Sequence, residues 1–337
     1  MEDGSSWFLA RRLLSTYPTL LRCVIRKFRY LQKIRAQWYC PLELKLFPCR
    51  FVFSSCQQNP GDACTEVLIL CGSGDNNGAV DEINDWVARK TANKVKKIVS
   101  EVDMESFSAL VLVNAIYFKG NWLHKFYDKF TVDEEFHVES KSAVGGKVKL
   151  MYNPRGKFFY GVNSRLQCQA IELPYDGRNM SMFILLPNQT ATNVYETGRK
   201  LTAGELVNVR EAFNMKSKRV RLWLPRFKLD ERLSLAEMLS AMGMSDLFSD
   251  GAADLSGIDG GKNLHVSEIL HRAVVEVNEK GTEAAGVTAV GVMEVSFEIG
   301  RQIDFRADHP FIFVIQDKVT KSILFLGRFV QPTFLYN

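Results

Sequence analysis

The sequence lacks a long uncharged hydrophobic run, and this absence excludes a spanning helix. The apolar stretch that starts at Trp7 is interrupted by Arg11, Arg12 and Pro18. No run reaches the roughly 18 apolar residues that a membrane-spanning helix needs. Residues 1–6 carry acidic side chains, whereas a secretory signal begins with basic ones. We therefore expect neither a membrane span nor a cleaved secretory signal.

Patterns that carry catalytic chemistry are also missing. The sequence contains no G-x-S-x-G nucleophile motif, no Walker phosphate loop and no H-E-x-x-H zinc motif. Its five histidines show no metal-ligand spacing; they are His124, His137, His265, His271 and His309. We therefore expect no enzyme, no metal site and no cofactor.

Charge is almost balanced over most of the chain. The net charge of +5 arises from 43 basic and 38 acidic side chains. Residues 1–78 hold ten of the basic and six of the acidic ones, which leaves 33 against 32, a net of +1, in residues 79–337. A nearly neutral surface offers nucleic acid no electrostatic footprint. We therefore expect no nucleic-acid partner.

The cysteine content also changes at residue 78. Cys168 lies after residue 78, and the six others lie before it: Cys23, Cys40, Cys49, Cys56, Cys64 and Cys71. Their spacing matches no zinc pattern, and no secretory signal favours a disulfide framework. We therefore interpret residues 1–78 as an atypical, cysteine-rich and basic segment.

Small residues dominate the segment from Gly281 to Ala289, and predicted strands follow at 311–315 and 323–330. Such a composition is most often a surface linker. At a period of two, however, one face is a strip of small side chains that fits between two strands. That face holds Thr282, Ala284, Gly286 and Thr288. We expect the segment to be exposed and mobile in the resting state.

A series of motifs surrounds this segment. In chain order they are Asn114-Ala-Ile-Tyr-Phe-Lys-Gly-Asn-Trp122, Glu172-Leu-Pro-Tyr175, Met182-Phe-Ile-Leu-Leu-Pro187, Leu224-Pro-Arg-Phe227, Asp254-Leu-Ser-Gly-Ile258 and Phe325-Leu-Gly-Arg-Phe329. Across residues 79–337 they resemble the serpin family, in particular its ovalbumin-like, largely intracellular branch. The resemblance implies an α+β fold with three β-sheets, surrounding helices and an exposed reactive-centre loop.

The resemblance also implies how the chain is organised. Residues 79–337 correspond to a partial serpin domain, in which strands at 107–118 and 268–278 flank the slot that receives the loop. Serpins carry further helices and strands before this part, and residues 1–78 show none of their motifs. A divergent domain, a variant transcript and a faulty gene model all produce such a pattern. We expect the family's N-terminal helices to be lacking.

A polar switch is implied in the central sheet. By resemblance, Asn114 and His271 lie opposite each other beneath the slot and hold the sheet shut. The residues alone favour two separately satisfied polar groups, because buried polar groups need partners. Trp122 matches the aromatic residue that caps the slot, although a lone Trp is first of all a core residue.

The hinge of the loop is implied in the same way. Glu279 matches the hinge glutamate, and Arg226 stands where the family places its basic partner. An exposed pair of this kind contributes about 0–1 kcal/mol. The residues that rapid insertion needs follow directly: Gly281, Thr282, Glu283, Ala284, Ala285 and Gly286.

The activity that the resemblance implies is inhibition by a suicide substrate. A protease cleaves the loop, forms an acyl-enzyme and is trapped when the loop inserts as a new strand. Family spacing places the reactive bond between Val295 and Ser296, and a small β-branched residue there suits an elastase-like pocket. Met293, Glu294 and Phe297 remain open as alternatives.

Two other interpretations of the function remain open. A non-inhibitory serpin would act as a carrier, chaperone or storage protein, and a truncated product would be inactive. The inhibitor interpretation implies a target serine protease, with papain-like cysteine proteases as a second class of partner. It also implies a cytoplasmic protein, with release that needs no cleaved signal, or else an extracellular one.

Overall fold

The computed structural model describes most of the chain after residue 63 and one short segment before it. The described residues are 50–55, 64–71, 76–100, 103, 110–138, 144–256, 264–282 and 302–332. They form two compact units. The first unit contains the described residues up to 117 and those between 229 and 275, and the second contains 118–228 and those from 276 onward.

Strands are the main elements of these residues. In chain order they are β1 (Arg50–Ser55), β2 (Cys64–Cys71), β3 (Leu110–Tyr117), β4 (Gly120–Asn121), β5 (Val132–His137), β6 (Val144–Asn163), β7 (Cys168–Pro174), β8 (Met180–Pro187), β9 (Lys216–Pro225), β10 (Phe227–Ser234), β11 (Val266–Asn278), β12 (Gly281–Thr282), β13 (Ile303–Arg306), β14 (Phe311–Asp317) and β15 (Ile323–Phe329). The α-helices are α1 (Asn76–Lys90), α2 (Val194–Lys200), α3 (Ala203–Val207), α4 (Val209–Ala212) and α5 (Ala236–Leu239). This combination confirms the α+β class predicted from the sequence.

The first unit is a sheet covered by helix α1. Strands β1, β2 and β3 pair antiparallel, and β3 pairs parallel with the first part of β11. Ile83 and Val87 lie on one face of α1 and belong to the same buried cluster as Val113 and Val274 of the sheet. Strand β3 is buried along its length except at Asn114, which is half-buried. A strand buried on both faces is expected where strands run parallel.

The boundary expected at residue 78 does not coincide with a break in the backbone pairing. Strand β2 lies before that boundary and pairs along its whole length with β3. Helix α1 begins at Asn76. The sequence signal for β2 is the apolar run at 67–70, which has the composition of a buried strand.

The second unit is organised around one large sheet. Its strand order is β13-β9-β6-β7-β8-β14-β15, and β5 pairs with β6. Beside Phe227 lie the rings of Phe311, Phe313 and Phe329, with centroid distances of 5.8, 5.7 and 5.0 Å. Tilted and edge-on ring pairs stabilise a core by about 0.5–1.5 kcal/mol each beyond burial. This packed sheet carries Tyr175 and Arg226, which contact the hinge described below.

Candidate functional site

The hinge of the predicted loop is already part of a sheet. Within the second unit, Gly281 and Thr282 form β12, which lies between the end of β11 and β4. Thr282 is paired with Val277 on one side and with Gly120 on the other. The expectation of an exposed resting segment is therefore wrong for its first two residues. The backbone N–H and C=O groups of these two residues are hydrogen-bonded to neighbouring strands, whereas those of an exposed loop bond to water. This pairing explains why the two residues are not exposed.

Gly281 has a backbone conformation that demands glycine. Its φ angle is +150°, which other residues rarely adopt. A Cβ atom at this position would lie 2.1 Å from the carbonyl oxygen of Gly120 and 2.6 Å from the Cα atom of Asn121. Both neighbours are backbone atoms and have little freedom to move. The glycine therefore permits β12 to approach β4.

Thr282 is fully buried, and its hydroxyl group has a specific partner. The Oγ1 atom lies 2.8 Å from the phenolic oxygen of Tyr175, which is also buried. The Tyr175 ring stacks on Trp122 with a centroid distance of 4.6 Å and meets the edge of Phe118 at 4.9 Å. Burial raises the pKa of Tyr175, so the phenol stays protonated. One hydroxyl group donates and the other accepts, which satisfies two buried polar groups together.

Trp122 lies beside the turn between β11 and β12, and its role as the cap of the slot stays a prediction. Its side chain is buried, and Nε1 donates a hydrogen bond of 2.9 Å to the carbonyl oxygen of Asn278. Its backbone N–H donates to the carbonyl oxygen of Lys280. Trp122 therefore binds the last residue of β11 through its indole and the turn that leads into β12 through its backbone.

Glu279 and Arg226 form the predicted pair, but its setting differs from the expectation. Nη2 of Arg226 donates to Oε1 and Oε2 of Glu279 at 2.6 and 2.7 Å, and the hydroxyl of Thr131 donates to Oε1 at 2.7 Å. The Glu279 side chain is only 3% exposed, so the pair is not the exposed one predicted. Burial acts to raise the pKa of Glu279, but the Arg226 and Thr131 hydrogen bonds outweigh it and lower that pKa. The carboxylate is therefore held charged in the turn before the hinge.

Asn114 and His271 lie directly opposite each other in the parallel pairing of β3 with β11, inside the first unit. The Oδ1 atom of Asn114 is buried and has no hydrogen-bond partner among the described residues. Burial lowers the pKa of His271 to about 4, which keeps the ring neutral at physiological pH. The two positions thus share one rung of the sheet, and their role as a switch stays a prediction.

Several predicted site residues lie outside the described residues. They are Glu283, Ala284, Ala285 and Gly286 of the hinge, together with the reactive bond of Val295 and Ser296. The structure adds three contacts that the sequence did not indicate: Gly120, Thr131 and Tyr175. Tyr175 is the last residue of one of the motifs quoted above. Its contact with Thr282, more than one hundred positions away, cannot be read from the local pattern.

Two searches of the described residues bear on other classes of site. No helix among them is long and apolar enough to span a membrane. No group of three His, Cys, Asp or Glu side chains in that part of the chain is placed to hold a metal ion.

Comparison with known proteins identifies the family. A profile of the family described as Serpin (serine protease inhibitor) matches residues 71–332. The match covers more than half of the chain, so the chain belongs to the serpin family. The match begins at Cys71, the last residue of β2.

Curated relatives include leukocyte elastase inhibitors. The chain is 41% identical over 254 residues to that of Equus caballus and 42% identical over 253 residues to that of Bos taurus. Each alignment covers 74% of this chain and 66% of the relative. The chain therefore spans just under two thirds of the length of these relatives.

Solved structures of the same fold include human thyroxine-binding globulin complexed with thyroxine. It aligns with a TM-score of 0.67 and 28% identity over 77% of this chain and 65% of the other. Uncleaved ovalbumin aligns with a TM-score of 0.62 and 32% identity over 76% of this chain and 63% of the other. The serpin fold predicted from the sequence is thereby confirmed.

Proposed function

We propose that this chain is a suicide-substrate inhibitor of serine proteases, with an elastase-like enzyme as its favoured target. The observation that carries the proposal is the pairing of Gly281 and Thr282 on both sides. The first residues of the loop already form a strand between two others. The rest of the loop can then insert by extending that strand. The similarity to leukocyte elastase inhibitors supports the choice of target.

The proposed mechanism begins with cleavage between Val295 and Ser296. The protease forms an acyl-enzyme on the new carboxyl end, and the freed loop extends β12 by strand addition, for which serpin loop insertion is a known example. Each added residue brings backbone hydrogen bonds with a net stabilisation of about 0.5–1.5 kcal/mol each. Extension requires β3 and β11 to separate, which parts Asn114 from His271.

Incubation with an elastase-like serine protease tests the proposal. We expect a covalent complex that survives SDS, together with a released C-terminal peptide that begins at Ser296. The same protease with its catalytic serine blocked is the control and should give no complex. Cleavage with no trapped enzyme would refute inhibition, and a peptide with another first residue would correct the assigned bond.

A carrier function is the alternative that a specific observation favours. The second unit contains an open cavity of about 870 Å³, lined among others by Tyr160, Gln169, Arg306 and His309. Cavities of this size bind small molecules in other proteins. The solved relative complexed with thyroxine supports the same alternative. A carrier would be cleaved without trapping the protease and would bind a small ligand reversibly.

The remaining parts of the proposal concern partner class and location. Papain-like cysteine proteases are the second class of target, because they too form an acyl-enzyme with a cleaved loop. We propose the cytoplasm as the location, with the extracellular space as the alternative. An inactive product is the third interpretation. Titration of the protease separates an inactive product from an inhibitor, and ligand binding separates it from a carrier, because an inactive product neither traps a protease nor binds a ligand.

A further inference from the structure

We propose that the open cavity of about 870 Å³ in the second unit binds a neutral carbohydrate, either a free sugar or the end of a glycan that carries no charged group. The volume lies within the usual range of about 300–1,000 Å³ for small-molecule sites. No residue of the hinge belongs to the described lining. The proposal therefore goes beyond protease inhibition and holds whether or not the chain traps a protease.

Amide and hydroxyl side chains dominate the lining of the cavity. They make up seven of its fifteen residues, whereas four are apolar and four are charged or histidine. Amide and hydroxyl groups both donate and accept hydrogen bonds, as the hydroxyl groups of a sugar do. A purely apolar ligand would remove water from these groups without replacing its hydrogen bonds, which costs free energy. The composition therefore favours a ligand that is rich in hydroxyl groups.

The floor of the cavity lies across three neighbouring strands. Val162 of β6, Gln169 of β7 and Leu186 of β8 occupy opposite positions in the register of the sheet, so their side chains share one face. Tyr160 lies two positions before Val162 and therefore shares that face. Its hydroxyl donates a hydrogen bond of 3.2 Å to Oε1 of Gln169. The floor thus combines apolar surface for the C–H groups of a sugar ring with an amide for its hydroxyl groups.

Two segments form the walls, one after β8 and one after β13, and hydrogen bonds join them. Nε2 of His309 lies 2.9 Å from the carbonyl oxygen of Pro187. The backbone N–H of His137 donates to the carbonyl oxygen of Asp308, and Nε2 of Gln189 donates to the carbonyl oxygen of His137 at 3.2 Å. Walls that are bonded to one another need little ordering when a ligand binds, so more of the interaction free energy appears as affinity.

The charged side chains of the lining are already paired. Nε of Arg306 donates to Oδ2 of Asp308 at 2.8 Å, and its Nη2 atom lies 3.2 Å from Oε2 of Glu134. The other carboxylate oxygen of Asp308 lies 3.0 Å from Nδ1 of His309. An anionic ligand would compete with two carboxylates for one guanidinium, and a cationic ligand would compete with Arg306 for Asp308. A neutral ligand leaves these pairs intact, and breaking a pair is costly.

Several amide groups of the lining have hydrogen-bonding capacity to spare. Nε2 of Gln169, Oε1 of Gln189 and Nδ2 of Asn188 have no hydrogen-bond partner among the residues that the structure describes. These atoms can exchange bonds with water for bonds with sugar hydroxyl groups. Because they belong to the floor and to one wall, a ligand that bonds to both is held in one orientation.

The position of the floor within the sheet argues against a peptide as the ligand. Strand β7 lies between β6 and β8 and is hydrogen-bonded to both. It therefore offers no free edge to which an extended peptide could add as a further strand. Recognition at the floor falls to side chains alone, which suits a small ring with several hydroxyl groups.

Glycan binding to the full-length chain tests the proposal. An array of neutral, sialylated and sulfated glycans is screened first. Saturation-transfer NMR then measures the binding of free maltotriose, mannotriose and triacetylchitotriose. A glycoprotein with high-mannose glycans, used before and after enzymatic removal of those glycans, distinguishes a partner's glycan from a free sugar. We expect neutral glycans to bind and anionic ones to bind no better than their neutral parents.

The first variant is Gln169→Leu, which removes the amide from the floor and keeps a side chain of similar size. We expect it to weaken binding about five- to tenfold, the effect of losing one hydrogen bond. Gln302→Leu is the matched control, because Gln302 is exposed and lies outside the described lining. Val162→Trp should abolish binding by filling the cavity at a position that is 48% exposed in the wild type. Circular dichroism checks the fold of each variant.

If Gln169→Leu does not fold, Asn188→Ala replaces it, with Asn179→Ala as its control. Both asparagines are exposed at the ends of β8, but only Asn188 belongs to the described lining. Asn188→Ala should weaken glycan binding, and Asn179→Ala should leave it within about twofold of the wild type, as is usual for an exposed position away from a site.

The absence of binding to every neutral glycan would overturn the proposal. So would a preference for anionic glycans, binding of thyroxine in place of glycans, or equal losses in a lining variant and its control. Protease trapping is measured on the same preparation. Failure to trap refutes the proposed inhibition alone, because glycan binding reports the cavity separately.

Discussion

The hydroxyl oxygen of Thr282 lies 2.8 Å from the phenolic oxygen of Tyr175, and both side chains are fully buried. This contact joins the first residues of the loop to the large sheet of the second unit. The beginning of the loop is thus part of the folded core. Under the proposed mechanism, the contacts of Thr282 set how readily the rest of the loop inserts.

Tyr175→Phe should destabilise the protein by about 1–3 kcal/mol, because it leaves the buried Thr282 hydroxyl without a partner. Urea unfolding of the wild type and the variant measures the change. Thr282→Val removes the other hydroxyl, and the double variant should lose less than the sum of the two single changes. Strictly additive losses would mean that the two hydroxyl groups do not interact.

Gly281→Ala should destabilise the hinge by about 1–3 kcal/mol, the usual range for forcing extra atoms into a packed site. The added Cβ atom would lie 2.1 Å from the Gly120 carbonyl oxygen, so β12 must move away from β4. We expect slower complex formation and a lower melting temperature. Gly204→Ala, in helix α3 with no atom within 4 Å of the new methyl group, is the control and should be neutral or slightly stabilising. Equal behaviour of the two variants would contradict the close approach at Gly281.

The resemblance implied that Asn114 and His271 lie opposite each other, and the backbone register pairs them; the residues alone favoured two separately satisfied polar groups. The resemblance supplied the pairing of Glu279 with Arg226 but not its burial. Whether an ionised side chain is covered depends on residues distant in the chain, such as Thr131, which donates to the Glu279 carboxylate, and no local pattern encodes them.

The resting conformation of the hinge could not be predicted from composition. Small residues pack weakly, so a segment such as 281–289 has little intrinsic preference for a strand. For Gly281 and Thr282 the backbone partners on either side decide the conformation. Strand β2 has a clearer local signal, because its apolar run at 67–70 has the composition of a buried strand, but its partner β3 lies about forty residues further along the chain.

The stability of the first unit should fall as the pH falls from about 6.5 to 4. Burial lowers the pKa of His271 to about 4, whereas the unfolded chain has the ordinary histidine value of about 6.5. The unfolded state therefore binds a proton first, and acid favours it. Urea midpoints measured between pH 7 and pH 4 record the effect, and His271→Gln should reduce the slope in that window. An unchanged slope in the variant would assign the effect to other groups.

Thr282→Arg should separate cleavage from trapping. The side chain of Thr282 is buried between β11 and β4, so arginine there places an unpaired charge in the sheet, which is costly without a partner. We expect β12 to be expelled while the distant reactive bond stays accessible. The variant should then be cleaved at about the wild-type rate and yield no SDS-stable complex. Thr282→Ser keeps the hydroxyl for Tyr175 and should retain trapping, so a loss in both variants would point to a general packing defect. Trapping that survives Thr282→Arg would mean that insertion begins elsewhere in the loop.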